Sequence, residues 1–259
     1  MDLGLKNKVA LVTGVGSQVG MGKAIALTLA KEGCDIIATD IDIEGAEKTV
    51  SEIRALGQKA LAIKTDITSF NEVNEMVKAG LDEFGKIDIL VNNAGGTRFA
   101  GFLAEAKLED IEQEIKLNLM GALYCSKAVI PHMIEKKSGK IVNIASSAAR
   151  MGVPGGSGYC SAKTGMLGLT RTLAMELGRM GINVNGISPG FVLTNFYGGE
   201  GAPMLANLPP EMKNPEERTP LGKKILPQDI ANAVLFLVTD LAEKITGQVI
   251  MVDSGEVMV

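Results

Sequence analysis

The 259-residue chain has no tryptophan, one histidine, three cysteines and three tyrosines. A lone histidine, His132, excludes multi-histidine metal centres and a serine-histidine-aspartate triad, and it reads as structural. Cys34, Cys125 and Cys160 are odd in number and widely spaced, with no CxxC pair. They argue against a disulfide framework and read as reduced, small core residues. No apolar run approaches the ~20 residues needed to cross a bilayer. The opening "MDLGLKNKVALVTG" lacks the basic-then-apolar order of a secretory signal, so a cytoplasmic protein with no membrane contact is expected. The 26 Lys and Arg residues are outnumbered by 30 Asp and Glu, for a net charge of -4. The cations are scattered and not interleaved with aromatics, so no nucleic-acid partner is expected.

What the chain does have is aliphatic and glycine-punctuated, with 31 glycines. Seven short β-branched runs start at Lys8, Cys34, Lys59, Ile87, Lys140, Ile182 and Gln248. They are nearly continuous in hydrophobicity, as in strands covered by helices on both faces. Between them lie helical patterns such as "GKAIALTLAKEG", which Gly33 stops. The alternation predicts one α/β domain over 1–259: a Rossmann-type, doubly wound, mainly parallel seven-stranded sheet. One stretch breaks the rhythm. Residues 191–226 mix glycine and proline with Phe196, Tyr197, Met204, Leu205, Leu208 and Met212, and a connection this long predicts a lid over a ligand.

"TGVGSQVGMG", Thr13 to Gly22, joins the first strand to the first helix, where dinucleotide-binding sheets place the pyrophosphate. Gly14, Gly16 and Gly20 carry one residue too many for G-x-G-x-x-G. Asp40 ends the second strand, in the place of the acid that binds the adenosine ribose hydroxyls. Its carboxylate would repel a 2′-phosphate, and the glycine loop holds no Arg or Lys to offset this, so NAD is expected over NADP. A helix cap is the bland alternative for Asp40. Asp66, with Ile67 beside it, ends the third strand and is placed to bond the adenine amino group. "NNAG", with Asn93, Ala94 and Gly95, ends the fourth. Later, "YCSAK" puts Tyr159 and Lys163 four apart, on one face of a helix. Ser146 ends the fifth strand thirteen residues earlier, and Asn118 sits in "KLNLMG".

Taken in order, these motifs resemble the short-chain dehydrogenase/reductase family from about Lys6 to the C-terminus. The likeness includes "PGFVLT" from Pro189 and "ITGQVIMVD" from Ile245. The glycine loop departs from the family's TGxxxGxG by two extra residues, so Gly14, Gly20 and Gly22 carry over and Gly16-Ser17-Gln18 is an enlargement. The resemblance implies hydride transfer between nicotinamide and a secondary alcohol or its ketone. It makes Tyr159 the acid/base, whose phenol, with an ordinary pKa near ~10, must be made more acidic by the Lys163 cation. Ser146 would bond the substrate oxygen, and Asn118 would anchor a water relaying protons towards Lys163. Pro189 and Gly190 would turn the chain beside the nicotinamide, with Val192 and Thr194 at its carboxamide. Gly155, Gly156 and Gly158 would leave room for a partly hydrophobic substrate.

A 3-oxoacyl-thioester reductase shares the whole pattern, although carrier-protein reductases commonly use NADPH. Lys136, Lys137 and Arg179 could form a landing patch for an acidic carrier. A dinucleotide-sensing protein without catalysis is the remote alternative, against which the complete Asn118, Ser146, Tyr159 and Lys163 set speaks. The resemblance also implies a homotetramer, built on the apolar helices "LMGALYCSKAVIPHMI" and "SAKTGMLGLTRTLAMELG".

Overall fold

Each of the seven β-branched runs becomes a strand in the computed structural model, which describes residues 3–97, 101–192, 194, 217 and 219–258. The strands are β1 (Val9–Thr13), β2 (Asp35–Asp40), β3 (Ala60–Lys64), β4 (Ile89–Asn92), β5 (Gly139–Ile144), β6 (Ile182–Pro189) and β7 (Val249–Val252). They form one sheet in the order β3-β2-β1-β4-β5-β6-β7, and every pairing is parallel. The helices are α1 (Met21–Lys31), α2 (Ile43–Ala55), α3 (Phe70–Phe84), α4 (Leu108–Ile115), α5 (Gly121–Lys136), α6 (Ala148–Met151), α7 (Ser157–Leu177) and α8 (Pro227–Val238).

The continuous hydrophobicity of the strands follows from burial of both sheet faces. In β1, Ala10 and Val12 pack with residues of α1, α2 and α8, while Val9 and Leu11 pack with α3, α5 and α7. Each Val or Leu so buried contributes ~1.5–3 kcal/mol, and a one-residue slip would exchange the two sets. Local chemistry sets the helix ends. The Asp42 carboxylate accepts from the Gly45 amide at 3.1 Å at the start of α2, and Ser69 Oγ accepts from Glu72 at 3.4 Å at the start of α3. α3 stops at Gly85, whose φ of 72° suits a residue without Cβ.

Two features position the site. β1 is flanked by β2 on one side and β4 on the other, so the chain reverses direction across the sheet there and opens a crevice at the strand C-termini. A buried amide ladder braces the neighbouring strands. Asn92 Nδ2 donates to Asn143 Oδ1 at 2.8 Å and to Ser126 Oγ at 3.1 Å, and Asn143 Nδ2 donates to Thr170 Oγ1 at 3.0 Å. This ties β4 and β5 to α5 and α7 through groups that water cannot compete for.

The excursion expected over 191–226 is described only at its ends. Val192 bridges to Ile225, and the Leu221 amide donates to the Ser254 carbonyl at 3.2 Å, so both ends are stitched beside the exit of β7. Phe196, Tyr197, Met204, Leu205, Leu208 and Met212, on which the lid reading rests, lie outside the described residues.

Candidate active site

The C-terminal edge of the sheet borders a cavity of about 630 Å³, within the ~300–1,000 Å³ of small-molecule sites. Its middle is lined by Gly14, Ser17, Gly20 and Met21. Gly14 has a φ of 76°, and a methyl group there would stand 2.8 Å from Ala94 Cα. Here β1 turns so close to β4 that only glycine fits. Gly22 was expected at the cofactor and is not in the cavity wall. It is buried, and a Cβ on it would run into the Gly14 carbonyl oxygen. Its role is close packing of α1 on the loop. α1 has no side-chain cap, unlike α2 and α3, so its first-turn amides remain available beside the cavity that Gly20 and Met21 line.

One end of the cavity is lined by Asp40, Ile41, Asp66 and Ile67. The cap of α2 is Asp42, not Asp40. Asp40 accepts instead from the Gly16 amide through Oδ2 at 2.7 Å and from the Asp42 amide through Oδ1 at 2.9 Å. Asp66 Oδ1 accepts from the Thr68 amide at 2.9 Å. Asn93 lines the cavity and also ties β4 to β1, its Nδ2 donating to the carbonyls of Thr13 at 2.8 Å and Gly14 at 3.1 Å. Asn93 Oδ1 and Thr65 Oγ1, both on wall residues, are buried without a hydrogen-bond partner among the described residues. That unmet capacity, the uncapped α1 and the terminal carboxylate fit a bound dinucleotide.

At the other end stand Tyr159, Lys163 and Thr194. Tyr159 and Lys163 share a face of α7, with Lys163 Nζ 5.7 Å from the centre of the Tyr159 ring. Lys163 is 4 % exposed, and Nζ donates to the Ile144 carbonyl at 2.9 Å. Burial pulls its ammonium down from 10.5 to about 8. Gly95 lies between the side chains, since a methyl there would be 3.2 Å from Lys163 Nζ and 2.7 Å from Asn118 Oδ1.

Several expected placements change. Asn118 is buried outside the cavity wall, in a π-helical turn, Lys116–Met120, between α4 and α5. Its Oδ1 accepts from the Gly96 amide at 3.0 Å, and its Nδ2 donates to the carbonyls of Gly96 at 2.7 Å and Glu114 at 3.0 Å. The side chain clamps the loop after β4. Ser146 sits beside the wall residue Ala145, its Oγ accepting from the Ala148 amide at 3.2 Å. Pro189, Gly190 and Val192 are not in the cavity lining, whereas Thr194, two residues on, is. The Pro189 carbonyl accepts from Ser147, Gly190 donates to Val252, and Val192 is buried against Ile225. Gly158 leaves no open space, because Glu114 Oε2 lies 3.0 Å from where its Cβ would be. Cys160 is only half-buried, whereas burial pushes the Cys34 and Cys125 thiols up to about 12. Lys136 and Lys137 end α5 just before β5 begins, at the sheet edge opposite the cavity.

Gln113, Lys116 and Leu117 also line the cavity and were missed. Lys116 and Leu117 stand three and four residues after Gln113, on one helical face, and that spacing was the available signal. Glu114, buried and accepting from Thr97 Oγ1 at 2.7 Å, was missed because nothing local marks an acid as buried.

Comparison with known proteins agrees with this geometry. A family model described as enoyl-(acyl carrier protein) reductase matches residues 14–256. The chain is 45% identical over 254 residues to the (2S)-[(R)-hydroxy(phenyl)methyl]succinyl-CoA dehydrogenase subunit BbsD of Thauera aromatica, with 98% of each chain covered. It is 38% identical over 255 residues to the 3-oxoacyl-[acyl-carrier-protein] reductase FabG of Thermotoga maritima, covering 98% of this chain and 99% of that one. A solved 7α-hydroxysteroid dehydrogenase, complexed with NADH and 7-oxo glycochenodeoxycholic acid, superposes with a TM-score of 0.90 at 36% identity, over 100% of this chain and 97% of that one. The fold and site define a dinucleotide-binding oxidoreductase. The chain belongs to the short-chain dehydrogenase/reductase family and interconverts an alcohol and a ketone with a nicotinamide dinucleotide.

Proposed function

We propose that this enzyme uses NAD(H) and acts on a secondary alcohol or its ketone, with Tyr159 as the acid/base. The observation that carries the reading is the buried Lys163 ammonium 5.7 Å from the Tyr159 ring. A cation stripped of water acts strongly on a neighbouring phenol and favours the phenolate. Tyr159 would then take the proton from an alcohol, or return it to a ketone oxygen, while Ser146 orients that oxygen. Asn118 serves by fixing the Gly95–Gly96 backbone against Lys163. When bound, the nicotinamide ring accepts or supplies the hydride. Gly14, Gly20 and the α1 amides would hold its pyrophosphate, and Asp40 and Asp66 its adenosine. Preference for NAD is supported by the Asp40 carboxylate in the wall and by the pairing of the loop's nearest lysine, Lys23, with Glu52 at 2.6 Å.

Tyr159→Phe should lower kcat by ~10²- to 10⁴-fold while NADH still binds. Turnover near wild type would remove Tyr159 from the mechanism. A 3-hydroxyacyl or 3-oxoacyl thioester is the second reading of the substrate, favoured by two relatives whose names carry acyl-CoA and acyl-carrier-protein substrates. Assays of secondary alcohols against hydroxyacyl thioesters separate the two.

We further infer a homotetramer. Met175 on the outer side of α7 is 86% exposed, and Gly168 on the same helix has no atom of the described residues near its missing Cβ. Such a face suits a partner helix. Elution as a monomer in gel filtration would end that inference.

A further inference from the structure

Glu114, on α4, is 3 % exposed and has no part in the mechanism above. A carboxylate so deep in a fold is kept only where its oxygens are met. Its Oε1 accepts from Thr97 Oγ1 at 2.7 Å. Its Oε2 faces the first turn of α7, standing 3.0 Å from where a Cβ on Gly158 would be. That turn has no side-chain cap, and the positive end of a helix favours a negative charge beside it. A side chain at Gly158 would crowd the carboxylate, and the next residue is Tyr159. The main chain of Glu114 adds a third tie, its carbonyl accepting from Asn118 Nδ2 at 3.0 Å. Asn118 in turn holds Gly96 by both its amide and its carbonyl. Two side chains four residues apart thus grip consecutive residues of the loop after β4, whose Asn93, Ala94 and Gly95 line the cavity.

We propose that Glu114 is a positioning residue for the reaction: it straps Thr97 to the first turn of α7 and so holds the loop after β4 at a fixed distance from the Tyr159 phenol. The inference rests on Tyr159 as the acid/base and adds a residue that lies behind the cavity wall. Residues 93–97 are neither helix nor strand, so side-chain ties set how far the loop stands from α7. Glu114 reaches both, through one oxygen each. Proton transfer needs the substrate oxygen within hydrogen-bond reach of the phenol, and a misplacement of about 1 Å can cost ~10²-fold in rate. Asp40 and the glycine loop line other parts of the cavity, so loss of the strap reaches turnover before cofactor binding.

The test is steady-state reduction of ethyl acetoacetate and of acetoacetyl-CoA, two ketone probes, followed by NADH absorbance. Glu114→Leu keeps the bulk and removes the acceptor, and it should lower kcat ~10- to 100-fold while the KM for NADH stays at the wild-type value. Thr97→Val removes the donor of the same contact and should give the same fall, with the double variant falling no further. Glu114→Gln still offers an oxygen to the Thr97 hydroxyl and should turn over near the wild-type rate. If Glu114→Leu fails to fold, Thr97→Val and Glu114→Gln carry the test with the same expectations. The proposal is overturned by wild-type kcat in Glu114→Leu, by losses that multiply in the double variant, or by a Glu114→Gln no better than Glu114→Leu. A KM for NADH that rises as far as kcat falls overturns it too, since the defect is then general. Tyr159→Phe turning over near wild type is a separate failure, that of the acid/base reading beneath it. Wild type that reduces neither probe overturns the ketone reading, and the proposal with it.

Discussion

Asp40 and Lys163 stand at opposite ends of one cavity and are held in contrasting ways. Asp40 is half-buried and receives two backbone amides, one from the glycine loop and one from two residues along its own segment. Lys163 is almost wholly buried, and its Nζ donates to the Ile144 carbonyl. The carboxylate is oriented without being stripped of water, and the ammonium is stripped of water and pulled down to about 8. Recognition of a hydroxyl pair needs direction, which backbone donors supply cheaply. Activation of a phenol needs an unscreened charge, which only burial supplies.

The comparison can be broken at either end. The largest effect is expected at Lys163. Lys163→Met should cost ~10²- to 10⁴-fold in kcat, because the phenol loses its cation. The same variant reads the cost of burial. The folded-state value of about 8 lies below the ordinary 10.5. Between those values the unfolded chain binds more protons than the folded one, so this group makes wild type gain stability as pH rises. Below about 8 the ammonium is charged in both states and the penalty is constant. The Tm of Lys163→Met relative to wild type should therefore fall from pH 7 to pH 9.5. A gap that stays constant over that range would show that Lys163 carries no burial penalty.

A smaller effect, on stability, is expected at the glycine loop. Gly22→Val would drive a branched side chain into the Gly14 carbonyl, costing ~1–3 kcal/mol and weakening NADH binding as α1 shifts from the loop. Wild-type Tm and NADH affinity in that variant would place the third glycine outside the packing role assigned to it. Together the substitutions ask whether the two ends fail separately, chemistry at one and placement at the other.

Much of this was legible in the residues. Asp40, Asp66, Asn93, Tyr159 and Lys163 all end up in one cavity wall, because strand ends and a four-residue helical spacing are local properties that a sheet topology gathers at one edge. What the residues did not show shares a cause. Asn118, Gly22 and Gly158 each meet a partner from another segment: Gly96, Gly14 and Glu114. A hydrogen-bonding group or an absent side chain does not announce in sequence which segment will come to meet it.

By itself, then, the order of apolar runs and glycines determined seven parallel strands, their covering helices and the edge at which a ligand binds, since burial and backbone geometry act over a few residues at a time. Only the tertiary structure decided that the Gly16 amide, 24 residues from Asp40, would hold its carboxylate, and that Lys163 would lose its water. Both depend on distances and desolvation that arise only when the sheet and its two helix layers close on each other.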